Sequence, residues 1–562
     1  MNRSYAWVLV VLLAFAGGFF LYDRFAEPQA TPPPPEVTPV GATLLEGLGN
    51  YSMPITTSKP EAQRWFDQGL ALTYGFNHDA AERSFLKAVE IDPDCAMCWW
   101  GSALVLGPHV NAAMDPANNQ PAWYRLQRAQ QVASGASERE QAYIRALGAR
   151  YAQHPPEDRR PLDQAYAEAM TELVRQYPDD LDAATLAAES LMDLQPWEYW
   201  DREGRPLGNT EQIVVRLESV IDRNPDHAGA LHLYIHAVEA SDQPERGAAA
   251  ADRLRELVPG SGHLVHMPAH IYARVGRYHD AVIANQKAIA ADDAYLATCR
   301  PQPGVYPLGY VPHNHHFLWF AATMQGSSKI ARDAAEATGE RTSDPQLIRT
   351  PGFEAMQLFA LTPLFADLRF GLWEEIEAVP RPPRDLPYMV AMWEYAQGVA
   401  AARQGDLDRA RAHHAALVEA TQDPTIEAMK VWDRYSLIYG VRIGERVLAA
   451  HIARGEKRHD AAVAALTEAV TIEDQIPYDE PPGWHAPVRQ TLGAVLLEGG
   501  EPQRAEAVFR EELRRNPENG WSLFGLEQAL RAQRRAQEAD EVHERFERAW
   551  AHADVNLTLA SL

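Results

Sequence analysis

A unit of about 34 residues recurs along this chain, and a chain built that way buries its apolar residues only by stacking each unit on the next. Each unit is two antiparallel helices, with small or bulky residues near positions 4, 8, 11, 20, 24 and 27 and proline near 32. Counting from Ala62 places Trp65, Gly69, Leu72, Ala81, Phe85, Ala88 and Pro93 there. Starts at Ala228 and Gly262 give two adjacent units, the first carrying Ala251, Leu254 and Pro259, the second Ala269, Tyr272, Ala281 and Ala288. Starts near Ala391, Arg442, Ala486 and Gly520 extend the pattern toward the C-terminus. Weaker amphipathic pairs cover 96–135, 138–178, 181–225, 313–340 and 352–380. The prediction is an all-α solenoid, a superhelix of about a dozen hairpins with a concave inner face. Residues 60–345 form its histidine-rich part and 346–562 its continuation.

The N-terminus reads differently. Arg3 precedes the apolar run Ala6–Tyr22, short for a membrane span and within range for a secretion signal, with no small-x-small cleavage site behind it. Residues 1–24 are therefore expected to be an uncleaved anchor or signal. Residues 25–45, with Pro32, Pro33, Pro34 and Pro35, are expected to form an extended linker. That places the solenoid on the periplasmic or outer side of a cytoplasmic membrane. With 77 acidic and 52 basic side chains, the net charge of -25 repels phosphate backbones and excludes nucleic acid as a partner.

The repeat register orients a group of histidines. In such a unit, positions 2, 5, 9 and 12 of the first helix form one stripe facing the concave side. His232, His236 and Glu239 take positions 5, 9 and 12 of the unit from Ala228. His263, His266 and His270 take 2, 5 and 9 of the next, and His313 and His316 take 2 and 5 of the one after. A start at Leu181 makes Glu189 position 9, so Glu189, His236 and His270 form a row across three helices.

Two histidines four residues apart lie one turn apart on one helix face, so His232 with His236, and His266 with His270, can converge on an ion. Helices packed about 8 to 10 Å apart leave a gap that two imidazoles bridge with metal bonds of about 2.0 to 2.1 Å. Imidazole and carboxylate without thiolate suit a transition metal ion such as zinc, copper, iron, nickel or manganese. His232, His236, His266 and His270 are the expected ligands, followed by His263 and His313, with Glu189 and Glu239 as ligands or proton carriers if the ion is catalytic. The competing reading is an interaction scaffold that holds a protein or peptide in the groove, its histidines serving as hydrogen-bonding groups.

Two aromatic, proline-bearing stretches, Gln195–Thr210 and Ala294–Pro312, break the repeat beside the histidine helices and are expected as loops roofing the groove. Cys95 and Cys98 either close a disulfide, remain packed thiols, or join Met97 or Met114 in a copper(I) or redox site. Trp99 stands where haem attachment needs histidine.

The strings Phe76-Asn77-His78-Asp79-Ala80-Ala81, Asp92-Pro93-Asp94-Cys95-Ala96-Met97-Cys98-Trp99-Trp100-Gly101, His232-Leu233-Tyr234-Ile235-His236-Ala237-Val238-Glu239 and Gly262-His263-Leu264-Val265-His266-Met267-Pro268-Ala269-His270-Ile271-Tyr272 carry a likeness. With His313-Asn314, they resemble a largely uncharacterised group of bacterial tetratricopeptide (TPR) proteins over about residues 60 to 330. That resemblance implies a TPR-like α-solenoid and no assigned reaction. The group's usual Gly-Pro-Asn-x-Asn is replaced here by Gly107-Pro108-His109-Val110-Asn111.

Overall fold

The computed structural model describes residues 41–299 and 304–562, so the apolar run Ala6–Tyr22 and the prolines up to Pro39 lie outside the described residues. None of the described helices is long and apolar enough to cross a membrane. The described helices pair into twelve hairpins, from Pro60–Tyr74 with His78–Ile91 to Gly520–Ala532 with Ala536–Ala549. The packing rule inside them repeats. Phe85 sits between Gly69 of its own hairpin and Gly101 of the next, where an added Cβ would come within 2.7 Å and 2.4 Å of the ring. Phe509 repeats this arrangement between Gly493 and Gly525, at 2.4 Å and 2.2 Å. Glycine at position 8 is thus the space into which the large residue of the second helix fits, and each hairpin completes its core against its neighbour.

The array winds tightly enough to meet itself. The first hairpin packs on the fifth and sixth: the Tyr74 carbonyl accepts a hydrogen bond from His232 Nδ1 at 2.7 Å, and Arg83 donates to the Tyr295 hydroxyl at 3.2 Å. A buried carboxylate fixes that closure. Asp182 accepts from the hydroxyls of Tyr51 and Tyr74, both at 2.6 Å, and lies 3.5 Å from His227 Nε2. The last hairpins return to the seventh, where Trp521 Nε1 donates to the Thr323 carbonyl at 2.9 Å and Asp554 accepts from the backbone N–H groups of Ser328 and Lys329. The inner face is consequently filled around the histidines, with a half-open cavity left beside them.

Three local expectations are corrected, and two are met. The linker expected over residues 25–45 ends earlier, because Thr43 and Leu45 already hydrogen-bond to Gln68. The stretch Ala294–Pro312 is mostly helical, since Tyr278–Cys299 continues through its alanine-rich start and Val311–Gln325 begins before its last proline. Residues 195–209 are irregular, as expected. A two-stranded ribbon, Lys430–Val431 with Tyr435–Ser436, interrupts the C-terminal half. Cys95 and Cys98 form a disulfide, so as paired here neither offers a thiolate to copper, and Cys299 is free.

Asp182 is buried, which alone would raise its pKa, but bonds from His227, Tyr51 and Tyr74 hold the carboxyl below its ordinary value. A group whose folded pKa is depressed contributes stability above its unfolded value, about 3.9, and that contribution is lost as pH falls through the folded value. Asp182→Asn is expected to lower stability at pH 7 by about 1 to 3 kcal/mol. Its unfolding midpoint should fall less between pH 6 and pH 3 than that of the wild type. Thermal unfolding across this range checks both effects.

Candidate metal centre

The fifth, sixth and seventh hairpins present their first helices side by side: Ala228–Val238, then Gly262–His266 running through Met267 into Pro268–Arg274, then Val311–Gln325. From these come all six expected histidine ligands. His232 and His266 have no exposed surface, and His236, His263 and His270 are each 2% exposed. Such burial in an interior holding so many polar rings demands a partner for each ring nitrogen.

Four of the Nδ1 atoms have theirs. His232 Nδ1 faces the Tyr74 carbonyl, so the hydrogen resides on Nδ1 and Nε2 is left as a lone pair. His266 Nδ1 lies 2.7 Å from Asn285 Oδ1, and the amide is oriented by Asn285 Nδ2 donating to the Ala281 carbonyl. Glu239 spans two rings, accepting from His236 Nδ1 at 2.8 Å and from His270 Nδ1 at 2.5 Å. Glu480 also reaches His270 Nδ1, at 2.7 Å, and is held there by the Tyr478 hydroxyl at 2.8 Å. Outer groups that fix the tautomer and aim of an imidazole in this way are characteristic of metal-ligating histidines.

The Nε2 atoms meet one another. His266 Nε2 lies 2.6 Å from His270 Nε2 and 3.0 Å from His313 Nε2, and His263 Nε2 lies 3.1 Å from His232 Nε2. Three sets of three residues each offer ligand atoms within 4.8 Å of one another: His232, His236 and His263; His266, His270 and His313; and His236, Glu239 and Glu480. Burial lowers the pKa of His232, His263 and His266 well below the usual histidine value, and those of His236 and His313 to about 3, with neighbouring histidines adding to the effect. His270 is the exception: burial acts against its charge, but Glu480 and Glu239 push it up to about 10. A proton on His270 Nε2 satisfies its contact with His266. His236 Nε2 and His263 Nδ1 remain buried without a hydrogen-bond partner.

Aromatic rings seal the interior. Phe76, at the turn of the first hairpin with a left-handed φ of 53°, lies 4.5 Å from His232, 4.7 Å from His109 and 5.5 Å from His263 between ring centroids. Trp197 meets His236 edge-on at 5.4 Å, and Tyr310 covers His263 at 4.5 Å, so the two aromatic stretches do roof the histidines. His109, at the position where Asn is usual in the resembled group, is buried beside His78, with ring centroids 4.4 Å apart.

Two sequence expectations are met differently. Glu189 does not complete the row with His236 and His270. It lies near Asp193 and Arg150, which pair at 2.8 Å, and burial raises its carboxyl to about 7 against the pull of Arg150. The second carboxylate at the histidines is Glu480, from the segment between His459–Glu473 and Val488–Glu498. Repeat phasing gives no hint of it; the local signal is the proline-dense stretch Pro477-Tyr478-Asp479-Glu480-Pro481-Pro482 interrupting a helical pattern. His316 stacks on Trp319 at 5.0 Å, and its Nδ1 has no hydrogen-bond partner. His270 and Glu480 also line a half-open cavity of about 1430 Å³ that reaches Trp197, Arg274 and Tyr478.

Residues 62–95 match the tetratricopeptide repeat family model. No curated protein matches the chain. Among solved structures, the Cut9–Hcn1 hetero-tetramer of APC/C is similar at 15% identity and a TM-score of 0.30, over 84% of this chain and 76% of that one. The human IFIT1 dimer with m7Gppp-AAAA is similar at 13% identity and 0.29, over 88% and 91%, and yeast Tom70 at 12% and 0.25, over 87% and 91%.

Removing the ring that closes the centre should be costly. Phe76→Ala is expected to destabilise the protein by about 3 to 5 kcal/mol through the cavity it leaves, with no relief of the left-handed backbone because alanine keeps its Cβ. Denaturant unfolding compared with Phe76→Leu checks it, the leucine variant losing the smaller part.

Proposed function

We propose that this is a TPR-like solenoid whose interior binds one or two transition-metal ions, one held by His266, His270 and His313 and a second by His232, His236 and His263. The observation that carries this reading is that the Nε2 atoms of His270 and His313 lie 2.6 and 3.0 Å from that of His266 while His266 and His270 hold their Nδ1 hydrogens elsewhere. Ligands at about 2.0 to 2.1 Å in a tetrahedral site stand roughly 3.3 Å apart, so His266 would part from His270 by about 0.7 Å and from His313 by about 0.3 Å. The neutral imidazole is the form that ligates: burial holds His266 and His313 uncharged, and His270 would release its Nε2 proton as the ion binds. An all-nitrogen set flanked by carboxylate suits zinc, copper, iron or manganese.

In this reading the ion supplies Lewis acidity or redox chemistry beside the cavity. Glu239 aims His236 and His270, and Glu480, with its Oε1 buried and unpartnered, is placed to hold or move a proton at the cavity wall. Glu189 is not placed for that role. The Cys95–Cys98 disulfide is in keeping with an exported body, as the N-terminal run also implies. A protein partner, which repeat arrays commonly hold, would meet a face other than the buried histidine wall.

Purified full chain, loaded separately with zinc, copper(II), iron(II) and manganese(II) and passed through a desalting column, should retain one or two equivalents of at least one metal by elemental analysis. His266→Ala with His270→Ala should lose at least one equivalent. Metal at one hundred times its Kd should stabilise the wild type by about 2.7 kcal/mol, reversed by chelator. Retention of no metal, or equal retention by the double variant, contradicts the proposal.

A further inference from the structure

A second anomaly lies away from the histidines, in the C-terminal half. Arg369, near the end of Thr362–Phe370, is 9% exposed. Its guanidinium lies over the Trp521 ring at 3.5 Å, and Nη2 donates to Gln490 Oε1. Among the described residues, no carboxylate forms an ion pair with it, and its Nε has no hydrogen-bond partner. A buried guanidinium is ordinarily paired, because desolvating an uncompensated charge is costly. The nearest compensating group is Glu512, whose carboxyl burial pushes up to about 7 and which accepts from Asn516 instead.

His485 stands beside Arg369 with the same deficiency. Its Nε2 lies 3.3 Å from the Tyr395 hydroxyl, and its Nδ1 is buried without a partner. With that hydroxyl donating to Nε2, the ring hydrogen is on Nδ1. The ring is stacked on Phe365 at 4.8 Å and 4°, which fixes its aim. Arg369 and His485 both line the cavity of about 1430 Å³ that extends from the histidine centre and a second of about 420 Å³ behind it.

We infer that Arg369 and His485 form a binding site for the carboxylate of a small organic acid with an apolar or aromatic body. One guanidinium and one neutral imidazole N–H supply a single positive charge and a planar set of donors, which matches a carboxylate monoanion. A phosphate dianion would bring a second negative charge into a corner that already holds Glu512. Trp484 lines both cavities together with Arg369 and His485 and suits an apolar body rather than a bare ion. The site stands independently of the metal reading, since it uses none of the proposed ligands.

The probe is benzoate, titrated calorimetrically into the full chain at constant ionic strength, with inorganic phosphate as the comparison. Benzoate should bind saturably, at least about tenfold more tightly than phosphate. Arg369→Gln should weaken benzoate at least tenfold, and His485→Phe, which keeps the ring stack but removes the N–H, should weaken it several-fold. Arg514→Gln, on the same cavity wall but paired with Glu511, should bind as the wild type does. Should Arg369→Gln not fold, His485→Phe and the phosphate comparison decide. Absence of saturable benzoate binding, phosphate binding equal to benzoate, or undiminished binding by His485→Phe or a folded Arg369→Gln overturns the inference.

Discussion

The centre depends on which groups hold the Nδ1 hydrogens. An imidazole has two nitrogens, and a partner that takes the hydrogen at one determines what the other presents. Here the partners come from four separate places: the Tyr74 carbonyl at the end of the first hairpin's first helix, the Asn285 amide on the second helix of the sixth, Glu239 at the end of the fifth hairpin's first helix, and Glu480 from between the tenth and eleventh. His236 and His266 find their Nδ1 partners within their own hairpins, whereas His232 and His270 also draw on Tyr74 and Glu480 from distant ones. Neighbouring hairpins bring the Nε2 atoms together, the winding of the superhelix supplies the distant partners, and Asp182 links Tyr51, Tyr74 and His227 where the first hairpin closes on the fifth.

Closure also separates this interior from the open groove that stacked hairpins usually present. Phe76, Trp197 and Tyr310 cover the rings, and five histidines are held neutral by burial while His270 alone is driven toward charge by two carboxylates. A region of low dielectric strengthens every charge interaction inside it, so a dication placed among these rings would be bound by the same features that make a proton on them unfavourable. Arg369 and His485 show the complementary case farther along the cavity, a cationic corner whose polar atoms lack partners.

Much of this was legible in the sequence because helical repeats are local. Position 8 glycine and position 24 phenylalanine set the packing of Phe85 against Gly69, and positions 2, 5, 9 and 12 turned His232, His236, His263, His266 and His270 toward one interior. His232 pairs with His263 across helices rather than with His236 along one, because ring orientation follows hydrogen bonds that spacing does not encode. Glu189 was misplaced for the same reason: position 9 fixes a face, and Arg150 on the preceding hairpin drew that part of the helix into a different charge cluster. Glu480 was out of reach altogether, since its arrival depends on the return of the last hairpins over a separation of some hundreds of residues in sequence.

In the proposed centre a metal ion would take the place of the proton shared between the Nε2 atoms of His266 and His270. Anomalous diffraction from crystals of the full chain grown with zinc tests it most directly. The account predicts a peak at about 2.0 to 2.1 Å from the Nε2 atoms of His266, His270 and His313, with the Nδ1 partners unchanged. Rings that keep their close Nε2 contacts, with zinc found only on surface carboxylates, would contradict it.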